Sequence, residues 1–276
     1  MRFANPIRSF SALAALVFLA TGAATAQTGA THEIRYGPEE ALGEGTVRTY
    51  LAVDANGNPL ELGVAISETA MATLPDLSQK PPMESFIALD LELPEGAPAP
   101  YKLVGFDWNS IGHPPVDIYG VPHFDFHFYT IDTATKGAIL PGDGDVPTEV
   151  GEFTEGPFAE RAMKAPTAGY LPAGYAYAPG SAVPMMGGHW IDPASHEFHG
   201  QAFDKTFIYG TWDGEVIFIE PMITKAFIES KAEGSFEIPT AEKVSAPGWY
   251  PSQYQIRFDS EAREYRVALT SFAERN

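Results

Sequence analysis

Pro122-His-Phe-Asp-Phe-His-Phe-Tyr129 alternates polar and aromatic side chains with a period of two, the repeat of a half-buried β-strand. His123, Asp125 and His127 then share one face, and Phe124, Phe126 and Phe128 share the other. An aromatic row asks for a core. A core has no need of two imidazoles and a carboxylate, so the same eight residues also point to a site.

On either side the chain carries the texture of an all-β fold. Gly and Pro supply 50 of 276 residues and punctuate short alternating runs. Thr46–Val53 and Leu60–Ile66 read as a hairpin closed by Asn56-Gly57, a dipeptide that accepts the positive φ angles of a tight turn. A short helix over 67–74 follows, with Ser67 as its cap. Strands are expected over 86–93 and 102–108, and the loop 109–121 with Gly112-His-Pro-Pro115 leads into the histidine strand. Residues 135–188 lack periodicity apart from a helical turn at 157–163. An irregular stretch of that length suits a binding loop or lid. A second hairpin joins 205–209 to 215–220 through Asp213-Gly214, an amphipathic helix is expected over 223–231, and 254–258 with 264–269 form a last alternating pair. The expected fold is an all-β sandwich or jelly-roll-like barrel with long loops and one or two short helices, built as a single domain over residues 27–276.

Residues 1–26 read as a signal peptide. Arg2 and Arg8 precede an apolar run from Phe10 to Ala20, and Ala24-Thr-Ala26 supplies the small residues of a cleavage site. The run falls short of the roughly 20 residues of a membrane span. A periplasmic or secreted location is therefore expected. The absence of cysteine removes disulfides and thiolate metal sites. Losing the leader's two arginines, with no acid beside them, moves the formal charge from −19 to −21. That balance excludes nucleic acid and anionic membranes as partners and leaves cations and small neutral ligands.

Six of the seven histidines fall between His113 and His199. Imidazole and carboxylate together are ordinary ligands of Zn, Cu, Fe and Mn, so a divalent transition metal is the expected cofactor. Residues four apart on a strand stand about 13 Å apart, so His123 and His127 share an ion only if a bulge or strong curvature bends the strand. One workable centre uses that curvature, with His189 arriving from the Gly187-Gly188 loop and Glu220 supplying a carboxylate at a strand end. His113 borders it. The alternative is a hydrogen-bonded network in which Asp125 orients structural imidazoles. His196 and His199 read as an exposed turn. Trp108, Tyr119, Tyr129, Trp190 and Trp212 read as a pocket lining or as core. No nucleophile elbow, phosphate loop or dinucleotide fingerprint is present.

Gly112-His-Pro-Pro, Pro122–Tyr129, Met186-Gly-Gly-His-Trp190 and Val216-Ile-Phe-Ile-Glu-Pro-Met-Ile-Thr224, in that order, resemble a family of secreted bacterial proteins of unknown function. The resemblance covers roughly residues 35–270 and implies one β-rich domain and a ring-like homo-oligomer. A weaker similarity is to cupins, which bind metal through a His-x-His pair, a Glu and a later His. Here an Asp widens the pair to His-x-Asp-x-His, and Glu220 follows His189 instead of preceding it. Three functional classes remain open. The first is a metal-dependent enzyme with Asp125 or Glu220 as proton acceptor and a small-molecule substrate. The second is a non-catalytic binder of metal or a small ligand. The third is an oligomer-forming envelope protein.

Overall fold

Gly57, at φ 85°, turns the chain back between two nine-residue strands, and Asp54 Oδ1 caps the turn by accepting from the Asn56 and Asn58 amides. The computed structural model describes residues 32–81 and 84–276, with Met1, so the expected signal peptide lies outside the described residues. The chain opens with β1 (Glu33–Tyr36), β2 (Glu40–Leu42), β3 (Gly45–Val53), β4 (Pro59–Ser67) and α1 (Glu68–Ala72). Ser67 caps α1 by accepting from the Ala70 amide. There follow β5 (Phe86–Glu92), β6 (Leu103–Asn109), α2 (Val116–Tyr119), β7 (His123–Tyr129), α3 (Thr133–Gly137), α4 (Pro157–Met163), β8 (Ala176–Tyr177) and β9 (Gly188–Ile191). After a 3-10 turn at His196–His199 come β10 (Lys205–Trp212), β11 (Glu215–Thr224), α5 (Lys225–Glu229), β12 (Gly234–Glu237), β13 (Gly248–Asp259) and β14 (Glu264–Arg275).

The strands build two antiparallel seven-stranded sheets. One runs β1-β3-β4-β14-β13-β12, with β2 alongside β3; the other runs β5-β6-β7-β11-β10-β9-β8. The chain leaves the first sheet after β4, lays down the whole second sheet, and returns for β12–β14. The sheets pack face to face as a sandwich. Leu51, Leu62, Val64, Ile66, Val267 and Leu269 of the first share one core with Val104, Phe106, Phe124, Phe126, Phe128 and Ile223 of the second. Phe106 packs against Phe124 and Phe126 with ring centroids 5.7 Å apart in each pair.

Two expectations need correction. All seven residues of β7 are buried, so the strand is covered on both faces and not half-buried. The irregular stretch between β7 and β10 lies over the outer face of the second sheet. Phe153, Phe158, Ala159 and Ala162 pack there on Tyr129 and Phe218, while Tyr119 and Phe203 pack on Ile208 and Met222. The helix expected over 223–231 begins at Lys225, because Ile223 and Thr224 still pair with β7 as part of β11. Among the described residues the α-helices are few and short, five segments of at most seven residues, as the expected all-β class requires.

Candidate metal centres

Strand register decides which polar groups meet. On β6, Asn109, Asp107 and Gly105 stand opposite His123, Asp125 and His127. On the other side of β7, β11 places Thr224 opposite His123 and Met222 opposite Asp125, and Ile208 of β10 is the partner of Glu220. His189 on β9 faces Gly210 of β10. Glycine is required there, because a Cβ at position 210 would lie 2.0 Å from the Phe218 ring. Across from His127, a Cβ on Gly105 would press on the Tyr129 ring at 3.0 Å. The missing side chains leave room for rings to converge on the outer face of the sheet, beneath the covering segment.

Two sets of three ligand types result, His113–His123–Asp125 and His127–His189–Glu220, each with one donor atom per residue and all three within 4.8 Å of one another. In the first, His123 Nε2 lies 3.3 Å from Asp125 Oδ1 and His113 Nε2 lies 3.6 Å from Asp125 Oδ2. The His123 Nδ1–H donates to the Val121 carbonyl at 2.7 Å, and the His113 Nδ1–H donates to the Pro114 carbonyl at 2.8 Å. A carbonyl only accepts, so each Nδ1 carries a proton; His123 Nε2 then presents a lone pair, and His113 Nε2 presents one whenever that ring is neutral. Those lone pairs face a carboxylate that is itself an acceptor. Asn109 Nδ2 donates to Asp125 Oδ2 at 2.8 Å, while Asp125 Oδ1 and His123 Nε2 have no hydrogen-bond partner.

In the second set, His127 Nε2 lies 3.6 Å from Glu220 Oε2, an oxygen without a hydrogen-bond partner. His189 donates Nδ1–H to the Ser181 carbonyl at 2.9 Å, which turns its Nε2 lone pair free. Phe218 stands edge-on to both imidazoles, with centroids 4.9 Å from His127 and 5.4 Å from His189. His127 and Glu220 are each 2% exposed, whereas the His113 side chain is 36% exposed. His189 is half-buried, so the second triad is the more buried of the two but is not sealed from solvent.

The separations fit an ion better than a direct bond. Two ligands of a tetrahedral ion with bonds of about 2.0–2.1 Å stand about 3.3 Å apart. A hydrogen bond between the same groups would be shorter than the observed 3.6 Å. Electrostatics point the same way. Burial lowers His123 to about 4, His127 to about 3 and His189 to about 4, leaving all three neutral near pH 7. Burial opposes ionisation of Asp125, but the surrounding imidazoles, His123 foremost, hold it below the ordinary carboxylate range. For His113, burial works against the charged form, and the Asp125 carboxylate more than offsets it, so its value rises. Burial, reinforced by Asp125, raises Asp107 to about 8 and also raises Glu220.

His113, His123, His127, His189, Asp125 and Glu220 all reach the outer face of the second sheet, as two groups and not as the single centre expected. His123 and His127 do not converge, because β7 pairs with β6 through seven consecutive residues without a bulge. His196 and His199 stand apart in the 3-10 turn, where His196 Nε2 lies 3.1 Å from Asp204. Of the five aromatics, Trp108, Tyr119, Tyr129 and Trp190 are buried in hydrophobic clusters and Trp212 packs on the edge of one. Sequence reasoning missed Asp107 and Asn109. Asp107 carried a signal, a carboxylate between Phe106 and Trp108 in an apolar strand. No family model, curated protein sequence or solved structure matches this chain.

Proposed function

We propose that this protein is an exported β-sandwich whose function is to bind a divalent transition-metal ion through His113 Nε2, His123 Nε2 and the Asp125 carboxylate. The observation that carries this reading is the pair of unpartnered, buried acceptors, His123 Nε2 and Asp125 Oδ1, facing each other at 3.3 Å. Two acceptors at that distance repel unless a cation lies between them. The backbone carbonyls on both Nδ1 atoms and Asn109 on Asp125 supply the outer hydrogen bonds that orient metal ligands. Two imidazoles with one carboxylate suit Zn, Fe, Mn or Cu, and the shortage of oxygen donors disfavours Ca and Mg. Three protein ligands and a half-exposed His113 leave a position for water or a small ligand, the arrangement of an exchanging or reactive centre. A hydrogen-bonded core, the assembly-protein reading, would have satisfied these atoms instead of orphaning them. Export rests on the leader-like residues 1–26.

Elemental mass spectrometry on purified protein tests the reading. Bound metal is expected, with one equivalent lost on His123→Ala or Asp125→Asn. Protein that arrives without metal and takes up no Zn²⁺ after dialysis sinks it.

A further inference from the structure

We infer that the protein holds a second, structural ion on His127 Nε2, His189 Nε2 and Glu220 Oε2. This stands on its own residues and does not depend on the first centre. The two triads cannot share one ion. The unbroken register of β7 keeps His123 and His127 about 13 Å apart along the strand, and Asp125 is already engaged by His113, His123 and Asn109.

Three observations specify the second ion. Glu220 is 2% exposed and its Oε2 has no hydrogen-bond partner. His127 Nε2 stands 3.6 Å from it, beyond a good hydrogen bond and close to the spacing of two ligands on one ion. His189 is aimed inward by its bond to the Ser181 carbonyl, a group supplied by the covering segment itself. The rings of Phe218 and Tyr129 wall the His127 side of the site, while His189 stays half-buried.

What such an ion would do follows from the elements it joins. β7 and β11 lie at the centre of the second sheet, whereas β9 is held to β10 by only three residue pairs and to β8 by two. An ion on His127, Glu220 and His189 would fasten that lightly paired strand, and with it the irregular segment 138–187, onto the sheet. The class of ligand is a tetrahedral divalent cation such as Zn²⁺, which Co²⁺ can replace.

Metal counting on the full-length protein, joined to Co²⁺ titration after chelation, tests this. Wild type is expected to carry two equivalents. Glu220→Gln, which keeps the side chain's shape, and His189→Ala should each remove one. His113→Ala should remove the other. In Zn²⁺, Glu220→Gln should lower Tm by about 5–10 °C and speed proteolysis within 138–187, and His113→Ala should leave that proteolysis rate unchanged. Should His189→Ala fail to fold, the glutamine variant still reports. A single equivalent that survives Glu220→Gln and vanishes in His123→Ala overturns the second ion and leaves the first standing. A single equivalent lost only in Glu220→Gln does the reverse, and no Co²⁺ uptake overturns both.

Discussion

Replacing Glu220 by methionine should change the sign of its effect on stability when metal is added. The residue is 2% exposed, its Oε2 makes no hydrogen bond, and burial raises its carboxyl above the ordinary range. Without metal, removing a buried unsatisfied polar group of this kind relieves about 1–3 kcal/mol. In a chain of this size each kcal/mol moves Tm by roughly 2–4 °C, so metal-stripped Glu220→Met should melt about 2–12 °C above stripped wild type. With free Zn²⁺ at about one hundred times Kd, wild type gains about 2.7 kcal/mol from the ion at this triad, and the variant gains none. Both proteins benefit equally from an ion at His113, His123 and Asp125, so that contribution cancels. Raising Zn²⁺ to about one thousand times Kd lifts the wild-type gain to about 4.1 kcal/mol, above the whole range of the relief, so the order of the two melting curves should reverse between chelator and Zn²⁺ in differential scanning calorimetry. If the variant melts below wild type in both conditions by the same margin, Glu220 belongs to a hydrogen-bonded network and the ligand reading fails.

Stability of the stripped protein should depend on pH through groups pulling in opposite directions. His123, His127 and His189 have folded values of about 4, 3 and 4, below the ordinary 6.5. The unfolded chain then binds more protons, and their contribution is lost as pH falls below 6.5. Asp107, raised from 3.8 to about 8, and Glu220, also raised, act in the other sense, and their contribution disappears as pH climbs toward 8. Tm should peak near pH 6.5 and fall by pH 8, with Asp107 alone supplying about 1–2 kcal/mol of that loss; a steady rise to pH 8 contradicts these assignments. Asn109→Ala removes the donor that fixes Asp125 and should weaken Zn²⁺ binding about 10–100-fold, read by competition with a chelating dye. Phe126→Ala, on the core face of the same strand at 0% exposure, should cost about 3–5 kcal/mol in urea unfolding while metal stoichiometry stays constant; loss of metal together with stability would show that the faces of β7 are not independent.

Local signals were sufficient where neighbouring residues set the structure. Asn56-Gly57 closes its hairpin, Ser67 caps α1, and the alternation of 122–129 gives β7 with the aromatic row facing the other sheet. The site was legible only as a set of residue types. Its partition into two centres depends on cross-strand register, which places Asn109 and Asp107 opposite His123 and Asp125 from a strand about fifteen residues earlier. Nothing in Leu103–Asn109 alone fixes that pairing. The isolated β9 strand was likewise invisible, since Gly188-His-Trp-Ile191 is too short for a period and is held by β10 across the gap in sequence. Burial of the polar face of β7 was missed because the segment covering it has no periodicity. Its scattered Phe153, Phe158 and Ala162 form a hydrophobic face only once folded onto Tyr129 and Phe218.

The energetics of the polar face bear on why it exists at all. Among the described residues, six buried side-chain atoms lack a hydrogen-bond partner, and four of them are His123 Nε2, Asp125 Oδ1, His127 Nδ1 and Glu220 Oε2. At about 1–3 kcal/mol each, those four cost an amount of the same order as the roughly 5–15 kcal/mol that holds a domain folded. Apolar side chains would carry no such cost, so burial alone does not account for retaining them. Two cations would satisfy three of the four at once. The fourth, His127 Nδ1, would then face Asp107 Oδ2, 4.0 Å away, in the position from which a carboxylate orients a ligating imidazole. The unmet polar atoms gather where two sets of metal ligands converge, and relieving them requires positive charge, not a different fold.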